Sequence, residues 1–404
     1  MNTNKQKVII AGGGIGGLAA ALGLAELGLS VVLIERAPEF KEIGAGIQLG
    51  PNAFAALDAL GAGDLARSRA VYTDQIIMKD AVDAKTLVQF DTAERFRERF
   101  GNPYGVIHRA DIHGSLLENL EKNNNVEFYP STEIVDYEEL VDGVNVFTSN
   151  KQEFQGDILI GADGVRSVVR QKLIGDPARV SGHVVYRAVV SQDRMPEELR
   201  VNAPFLWAGP HCHLVHYPLR GGKEYNLVVT FHSREQEEWG VREGSRDEVL
   251  SYFQGIHDVP AKLLDLPTSW MRWATADREP VERWGSDRVQ ILGDAAHPMM
   301  QYMAQGACMA LEDAVTLAEA VREKNFNFKE AFALYESLRI PRTARVVWST
   351  REMGRIYHAK GVERQVRNGL WSNRTQEEFY DAISWLYSWD LKNCLKQSQE
   401  WQLK

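Results

Sequence analysis

Apolar positions near the start of the chain follow an order typical of a strand, a helix and a second strand. Val8–Ala11 is a short apolar run suited to a buried parallel strand. Leu18–Leu27 is rich in Ala and Leu and predicts a helix that stops at Gly28. Val31–Ile34 is apolar again. The pattern therefore predicts a β–α–β unit within a parallel sheet.

Two later segments repeat the change from a buried strand to a tight turn and a helix. Ile158–Ile160 precedes a Gly-rich turn and a helix that starts at Ser167. Val289–Leu292 precedes a Gly-Asp loop and a longer helix that begins near Gly306. Ligands of open parallel sheets bind outside the carboxyl ends of the strands, so we expect both loops to face a ligand.

Between these segments the pattern changes to the two-residue period of half-buried strands. His211–Tyr217 and Tyr225–Phe231 predict an antiparallel sheet. The predicted fold class is α/β, with a Rossmann-like dinucleotide-binding domain, a second domain built on an antiparallel sheet, and a helical C-terminus. We assign residues 1–70, 99–183 and 274–325 to the first domain, 71–98 and 184–273 to the second, and 326–404 to the helical region.

Several further boundaries rest on a few residues each. Asn52 predicts the cap of a helix. Ile107–Leu120 predicts another helix, with Arg109 near its start. Residues 37–50 are rich in Gly and predict a loop. Within it, Gly44–Gly46 is either a flexible connector or backbone that lies against a flat ring system.

The C-terminal helices carry an apolar stripe. Ala382, Trp385, Leu386 and Trp389 fall on one side of a predicted helix. Packing on the body of the protein, a dimer contact and an apolar-ligand surface all account for this stripe, and the sequence does not separate them. We expect a homodimer.

The composition is that of a soluble globular protein with two domains, since 404 residues include 44% hydrophobic and 25% charged residues. A net charge of −9 without a basic tract argues against nucleic acid as a partner. No apolar run approaches the length of a membrane span, and no hydrophobic signal region precedes the first strand. We therefore expect a cytoplasmic protein.

A dinucleotide-binding motif lies at the first turn. Gly12, Gly14 and Gly17 have the G-x-G-x-x-G spacing between the first strand and its helix. Glycine there allows a tight turn, approach of a pyrophosphate to the backbone and close helix–strand packing, and the first N–H groups of the helix face the phosphates. Glu35 ends the second strand, where a carboxylate can accept hydrogen bonds from a ribose. We expect a bound dinucleotide rather than a plain glycine-rich turn.

Three motifs together resemble those of the FAD-dependent aromatic hydroxylases, the single-component flavoprotein monooxygenases. Besides the glycine motif with Glu35, they are Asp157–Arg170, with its Gly-Ala-Asp-Gly turn, and Gly293–Pro298. The resemblance implies a fold like that of p-hydroxybenzoate hydroxylase, without a separate nicotinamide domain. It also implies that Asp163 lies near FAD and that Asp294 contacts the ribityl chain.

The residues that we assign to FAD lie in or beside these motifs: Gly12, Gly14, Gly17, Glu35, Arg36, Ile47, Arg109, Asp163 and Asp294. For Arg109 a phosphate or ribose contact competes with a plain surface ion pair. The second motif is linked in this family to the use of NADH or NADPH, and we expect NADH as the co-substrate.

The resemblance also implies that reduced flavin and O2 form a C4a-hydroperoxide, an electrophile that attacks an electron-rich ring. We expect 3-hydroxybenzoate to be hydroxylated para to its hydroxyl, which gives 2,5-dihydroxybenzoate (gentisate). Salicylate and 6-hydroxynicotinate are alternative substrates within the family. A flavin-dependent halogenase fits less well, because Trp270–Trp273 lacks the spacing of the W-x-W-x-I-P signature. A non-catalytic flavin redox sensor would need no proton relay facing the ring.

The predicted strand His211–Tyr217 supplies candidate catalytic groups. Side chains two apart share a face, so His213 and Tyr217 would reach either end of a substituted benzoate. We assign His213 as the base or proton relay at the phenol, oriented by Gln301, and Tyr217 as a donor to the carboxylate. The alternative is polar residues on a wet strand face. No arginine is predicted on this face for the carboxylate, and the alternation of the strand's three histidines argues against a metal site.

Overall fold

The computed structural model describes residues 6–41 and 46–396. The strands of this part of the chain are β1 (Lys7–Ala11), β2 (Ser30–Ile34), β3 (Gly46–Leu49), β4 (Val71–Tyr72), β5 (Gln75–Asp80), β6 (Thr86–Asp91), β7 (Gly105–His108), β8 (Val126–Tyr129), β9 (Ile134–Glu139), β10 (Val144–Thr148), β11 (Glu153–Gly156), β12 (Ile158–Gly161), β13 (Arg179–Ser191), β14 (Phe205–Gly209), β15 (Cys212–Leu219), β16 (Glu224–His232), β17 (Gly240–Gly244), β18 (Trp270–Asp277) and β19 (Val289–Ile291).

The helices are α1 (Ile15–Glu26), α2 (Pro51–Ala59), α3 (Gly63–Arg69), α4 (Glu94–Phe100), α5 (Arg109–Leu120), α6 (Val168–Leu173), α7 (Arg246–Tyr252), α8 (Asp258–Leu264), α9 (Gly306–Glu323), α10 (Phe328–Tyr357), α11 (Gly361–Trp371) and α12 (Gln376–Tyr387). Short 3₁₀ turns include Gly293–Ala295 and Gln301–Met303. None of the described helices combines the length and the apolar composition that crossing a membrane requires.

A five-stranded parallel sheet, in the order β19–β12–β1–β2–β8, forms the first layer of the fold. Val8, Ile9 and Ile10 of β1 are fully buried, as expected for a parallel strand that is covered on both faces. Helix α1 packs against α5 and α9 beside this sheet. The predicted strands at 8–11, 31–34, 158–160 and 289–292 are thus confirmed as neighbours in one sheet.

An eight-stranded sheet has the order β17–β18–β13–β16–β15–β14–β5–β6, and only its β14–β5 pair is parallel among the described strands. One face carries Leu214, Trp207 and Phe231, which pack with Val249 of α7 and Leu263 of α8 in a buried core. Because side chains alternate along each strand, the neighbours of these residues face the opposite side. That opposite side lines the cavity described below.

Two smaller antiparallel sheets have the orders β11–β10–β9 and β3–β7–β4. The predicted loop at 37–50 is wrong for Gly46–Leu49, which forms β3 by pairing with the distant β7. Gly44 and Ala45 lie outside the described residues. At Gly46, an added Cβ would stand 2.6 Å from Cε2 of Tyr217. The aromatic ring that Gly46 accommodates within the chain is therefore that of Tyr217.

Three other predicted boundaries are corrected. Ile107–His108 belongs to β7, and α5 begins only at Arg109. Asn52 lies inside α2 and does not cap it; its buried amide donates instead to Oε1 of Glu312, at 2.7 Å. His211 precedes β15 with a φ of +63°, so it does not share the alternation of the strand.

The chain after α9 forms the long helix α10 and the shorter α11 and α12. Ala382, Trp385 and Leu386 of α12 line the cavity, whereas Trp389 lies beyond the end of that helix. Of the four residues of the predicted apolar stripe, Leu386 and Trp389 are buried, Trp385 is half-buried and Ala382 is exposed. Parallel sheet, largely antiparallel second sheet and C-terminal helices together confirm the predicted α/β fold class.

Candidate active site

A cavity of about 1130 Å³ lies between the parallel sheet, the eight-stranded sheet and the C-terminal helices. Its lining includes eleven of the twelve predicted site residues: Gly12, Gly14, Glu35, Arg36, Ile47, Arg109, Asp163, His213, Tyr217, Asp294 and Gln301. Gly17 is the exception, because it packs so closely that an added Cβ would stand 1.9 Å from the carbonyl oxygen of Gly12. The structure thus brings distant predicted residues together, and the role of each remains a prediction.

The glycine loop is shaped by close backbone approaches. Gly12 has a φ of +102°, and a Cβ there would stand 2.4 Å from the carbonyl oxygen of Ala162 in the neighbouring loop. Gly14 precedes α1 with φ −74° and ψ −176°, a conformation that any residue adopts. The fold itself therefore requires glycine at position 12, whereas the backbone conformation does not require it at position 14.

Glu35 holds this loop from the end of β2. Its carboxylate accepts hydrogen bonds from the backbone N–H groups of Gly13, at 2.6 Å, and Ala37, at 2.7 Å. His113 contacts the same loop through Nε2, 2.8 Å from the carbonyl oxygen of Gly13. A carboxylate has several lone pairs, so these bonds leave capacity for a ligand. The predicted ribose contact of Glu35 stays a prediction.

The second and third sequence motifs are joined by a buried arginine. Arg170 donates from Nη1 to the carbonyl oxygens of Ala295, at 3.0 Å, and Ala296. Its other guanidinium nitrogens bind the carboxylate of Asp176. This clamp fixes the loop that carries Asp294, whose side chain is exposed to the cavity. The sequence identified both motifs without indicating that one holds the other.

Two helices end at the cavity with open N-termini. The N-cap residues of α1 and α9, Gly14 and Gln305, make no side-chain capping hydrogen bond, and both line the cavity. Free N–H groups at a helix start form a site for anions such as phosphates. Asp163 adds a buried Oδ1 without a protein partner among the described residues. Such unfilled donors and acceptors fit a large polar cofactor such as FAD.

The eight-stranded sheet supplies the other wall. His213 pairs across the sheet with Thr230, and Oγ1 of Thr230 accepts a hydrogen bond of 3.4 Å from Nε2 of Gln301. Tyr217 lies four residues along the same strand, at the other end of this wall. The structure therefore places His213 and Gln301 at one end and Tyr217 at the other, as expected from the alternation.

His213 belongs to a buried group of histidines that the sequence did not reveal. Its Nδ1 lies 2.8 Å from Nε2 of His358, with which it is hydrogen-bonded. His183 is hydrogen-bonded to the hydroxyl of Tyr302 and stacks on His358. Burial lowers the pKa of His213 to about 3 and of His183 to about 4, and it lowers the pKa of His358 well below its usual value.

The histidine group is therefore neutral near neutral pH. No set of three or more His, Cys, Asp or Glu side chains within residues 6–41 and 46–396 is arranged to hold a metal ion. His358 stands at the end of α10, 145 residues after His213, so no local sequence signal links the two. They meet only through the packing of the C-terminal helices on the sheet.

The strand β15 itself carries no arginine, but another strand of the same sheet supplies one. Arg187 of β13 lines the cavity. It pairs with Val228 of β16, which in turn pairs with Val215 of β15. A charged residue within the apolar run Val184–Val190 was the available signal. It was missed because the strand order of the sheet cannot be read from one strand.

Comparison with known proteins agrees with these features. A family described as "FAD binding domain" matches residues 5–348. A 3-hydroxybenzoate 6-hydroxylase of Klebsiella oxytoca is 64% identical over 390 residues, which is 96% of this chain and 98% of that protein. A 3-hydroxybenzoate 6-hydroxylase of Polaromonas naphthalenivorans is 61% identical over 388 residues, 96% of this chain and 97% of that protein.

The fold has solved counterparts. A salicylate hydroxylase in a substrate complex superposes with a TM-score of 0.82 and 26% identity, and the match covers 98% of both chains. The family match, the similarity to the two hydroxylases and the cavity between the two sheets support the same assignment. The chain belongs to the FAD-dependent aromatic hydroxylases, the flavoprotein monooxygenases that it resembles in its three sequence motifs.

Proposed function

We propose that this protein uses NADH and O2 to hydroxylate 3-hydroxybenzoate para to its hydroxyl, which gives gentisate. The observation that carries the proposal is the sheet wall of the cavity, with His213 and Gln301 at one end and Tyr217 at the other. A hydroxylated benzoate has two polar groups on one ring and suits such a wall. The relatives named for this activity are 64% and 61% identical to the chain, against 26% for the salicylate hydroxylase.

Bound FAD would supply the redox chemistry, that is, acceptance of a hydride from the nicotinamide and activation of O2. The residues that would hold it are the glycine loop, Glu35, Asp163 and Asp294, together with the open ends of α1 and α9.

The position of hydroxylation follows from the ionisation of the phenol. Loss of the phenolic proton places electron density on the ortho and para carbons, and the para carbon is C6. A proton acceptor within hydrogen-bond reach of the phenol oxygen therefore promotes attack there. Neutral His213 has one ring nitrogen that can accept. Its Nδ1 is engaged with His358, which leaves Nε2 for the phenol and gives the proton an onward route.

The role of His213 predicts a loss of hydroxylation without a loss of NADH oxidation. His213→Ala should slow hydroxylation about 10²–10⁴-fold, because removal of a positioned base has costs of this order. NADH would still be consumed, and peroxide would be released. Tyr217→Phe should mainly raise the KM for the aromatic acid, since only a donor to the carboxylate is lost. Rapid kinetics with peroxide and product assays measures both effects.

A matched control lies on the same strand. His216 faces away from the cavity and stacks on Phe205, so His216→Phe should leave the coupling of NADH oxidation to hydroxylation unchanged. Unaltered hydroxylation by His213→Ala would remove His213 from the mechanism. Conversion of salicylate to catechol by the parent enzyme, with 3-hydroxybenzoate left untouched, would overturn the proposed substrate.

The co-substrate forms a separate part of the proposal. We expect a higher kcat/KM with NADH than with NADPH, and a preference for NADPH would contradict this. The homodimer, the cytoplasmic location and the domain boundaries expected from the sequence stay predictions.

A further inference from the structure

An arginine faces the cavity from the same wall as His213 and Tyr217. Arg187 on β13, Val228 on β16 and Val215 on β15 are paired in one row across the sheet. Residues paired in this way point to the same face, and all three line the cavity. Since β13 and β15 are two strand spacings apart, about 10 Å, a long side chain on one can approach groups on the other.

The guanidinium of Arg187 has no acidic partner within the described part of the chain. Its recorded neighbour is the ring of Trp273, whose centroid lies 5.6 Å from Cζ. Burial lowers the pKa of Arg187, and the nearby cation Arg109 acts in the same direction, whereas Tyr217 acts to raise it. A buried charge is unfavourable unless it is paired. The environment of Arg187 therefore lacks one component, an anion.

The row that contains Arg187 crosses β15 at Val215, midway between His213 and Tyr217. Burial raises the pKa of the Tyr217 hydroxyl, and the Arg187 guanidinium acts against this rise. The two groups are thus close enough to interact. His213 and Gln301 lie at the opposite end, beside Thr230.

We infer that Arg187, together with Tyr217, binds the carboxylate of an aromatic acid and so selects carboxylated phenols over neutral ones. The inference rests on the proposed function for the class of substrate and goes beyond it in naming the group that recognises the acid. Guanidinium forms two parallel hydrogen bonds to a carboxylate, which gives both strength and orientation. Tyr217 then contributes a hydrogen bond, while Arg187 contributes the charge.

A comparison of ligands with and without the charge tests this inference. The dissociation constants of the FAD-loaded enzyme for 3-hydroxybenzoate, salicylate and the uncharged 3-hydroxybenzamide are measured by calorimetry. Arg187→Gln should weaken binding of 3-hydroxybenzoate about 10- to 100-fold, the usual effect of losing a hydrogen bond to a charged group. Binding of 3-hydroxybenzamide should change little. Arg187→Lys, which keeps the charge, should restore part of the preference for the acid.

Each outcome has a distinct reading. Equal weakening of the acid and the amide, or loss of FAD in Arg187→Gln, would overturn the inference, because Arg187 would then support the wall or the cofactor. An unchanged constant for every bound acid would overturn it as well. Binding of salicylate alone, weakened by Arg187→Gln, would uphold the role of Arg187 and refute 3-hydroxybenzoate as the substrate. A parent enzyme that binds neither acid contradicts both proposals.

Discussion

His183, His213 and His358 are held neutral by burial, and this has a consequence for stability. Their pKa values in the folded protein are about 4, about 3 and well below the usual value, in that order, against about 6.5 in an unfolded chain. Below about pH 6.5 the unfolded state therefore binds more protons than the folded state. Stability is fully present above this pH and is lost as the pH falls towards 4.

We expect these three histidines to lower the free energy of unfolding by as much as about 4 kcal/mol per pH unit between about pH 6 and 4, which is three protons at about 1.4 kcal/mol each. Buried His216, whose pKa is also lowered to about 3, adds a fourth proton. His358→Gln removes one titrating group and keeps a hydrogen-bonding amide beside His213. For this variant, the free energy of unfolding should depend less steeply on pH, by about one proton. At pH 8 its free energy of unfolding should differ little from that of the parent. Urea denaturation at a series of pH values gives both slopes, and equal slopes would contradict this account.

Single residues differ in how far the sequence could identify them. His213 and Tyr217 were found because strand alternation is a local rule that holds wherever the strand forms. Arg187 and His358 were missed because tertiary structure brings each to the site. Arg187 arrives through the strand order of the sheet. His358 lies 145 residues after His213 and arrives through the packing of a C-terminal helix. Local pattern supplies no information on such neighbours.

At the scale of the element, the turn between β1 and α1 contains glycines that the fold requires and one, Gly14, that its backbone conformation does not require. A Cβ at Gly17 would collide with the carbonyl oxygen of Gly12, so Gly17→Ala should disturb folding and lower the yield of soluble protein. Gly14 has a backbone conformation open to any residue. Gly14→Ala should therefore fold and yet retain less FAD, because its methyl group would occupy the space of a pyrophosphate.

Flavin absorbance per protein, together with circular dichroism, measures the effects of both glycine substitutions. Retention of FAD by Gly14→Ala at the parent level would show that the loop does not contact the cofactor as proposed. A folded Gly17→Ala with normal FAD content would contradict the packing argument for that position.

Elements with a strong local period were predicted best. β1, α1 and β2 follow from apolar runs separated by glycine, and the structure confirms all three. β3 was predicted as loop because its four residues become a strand only by pairing with β7, about sixty residues later. The prediction for Asn52 was wrong for a similar reason. An amide next to a helix start usually caps the helix, but the Asn52 amide is buried and donates a hydrogen bond to Glu312.

At the scale of the whole molecule, buried charges connect the C-terminal helices to the cofactor side of the cavity. Arg339 of α10 donates from Nε to Asp313, at 2.6 Å, and from Nη1 to Glu312, at 2.6 Å, both on α9. Oδ2 of Asp313 in turn accepts from the backbone N–H of Gly293, at 2.9 Å, and lies 2.5 Å from Nε2 of His297. Burial acts to raise the pKa of Asp313, but His297, the Arg339 guanidinium and the Gly293 N–H together outweigh it and lower that pKa to about 2.

This arrangement makes Arg339 a test of how stability and cofactor binding are coupled. Arg339→Met would leave Glu312 and Asp313 buried with less compensating charge, and breaking such a pair destabilises a protein by about 3–5 kcal/mol. Because Asp313 also holds Gly293, next to Asp294, the variant should retain less FAD as well as unfold at lower urea concentration. Arg322→Met is the matched control on the same helix pair, since Arg322 is 63% exposed in its ion pair with Glu319 and should contribute at most about 1 kcal/mol. If Arg339→Met unfolded like the control, or lost stability while retaining FAD normally, the proposed connection through Asp313 would be refuted.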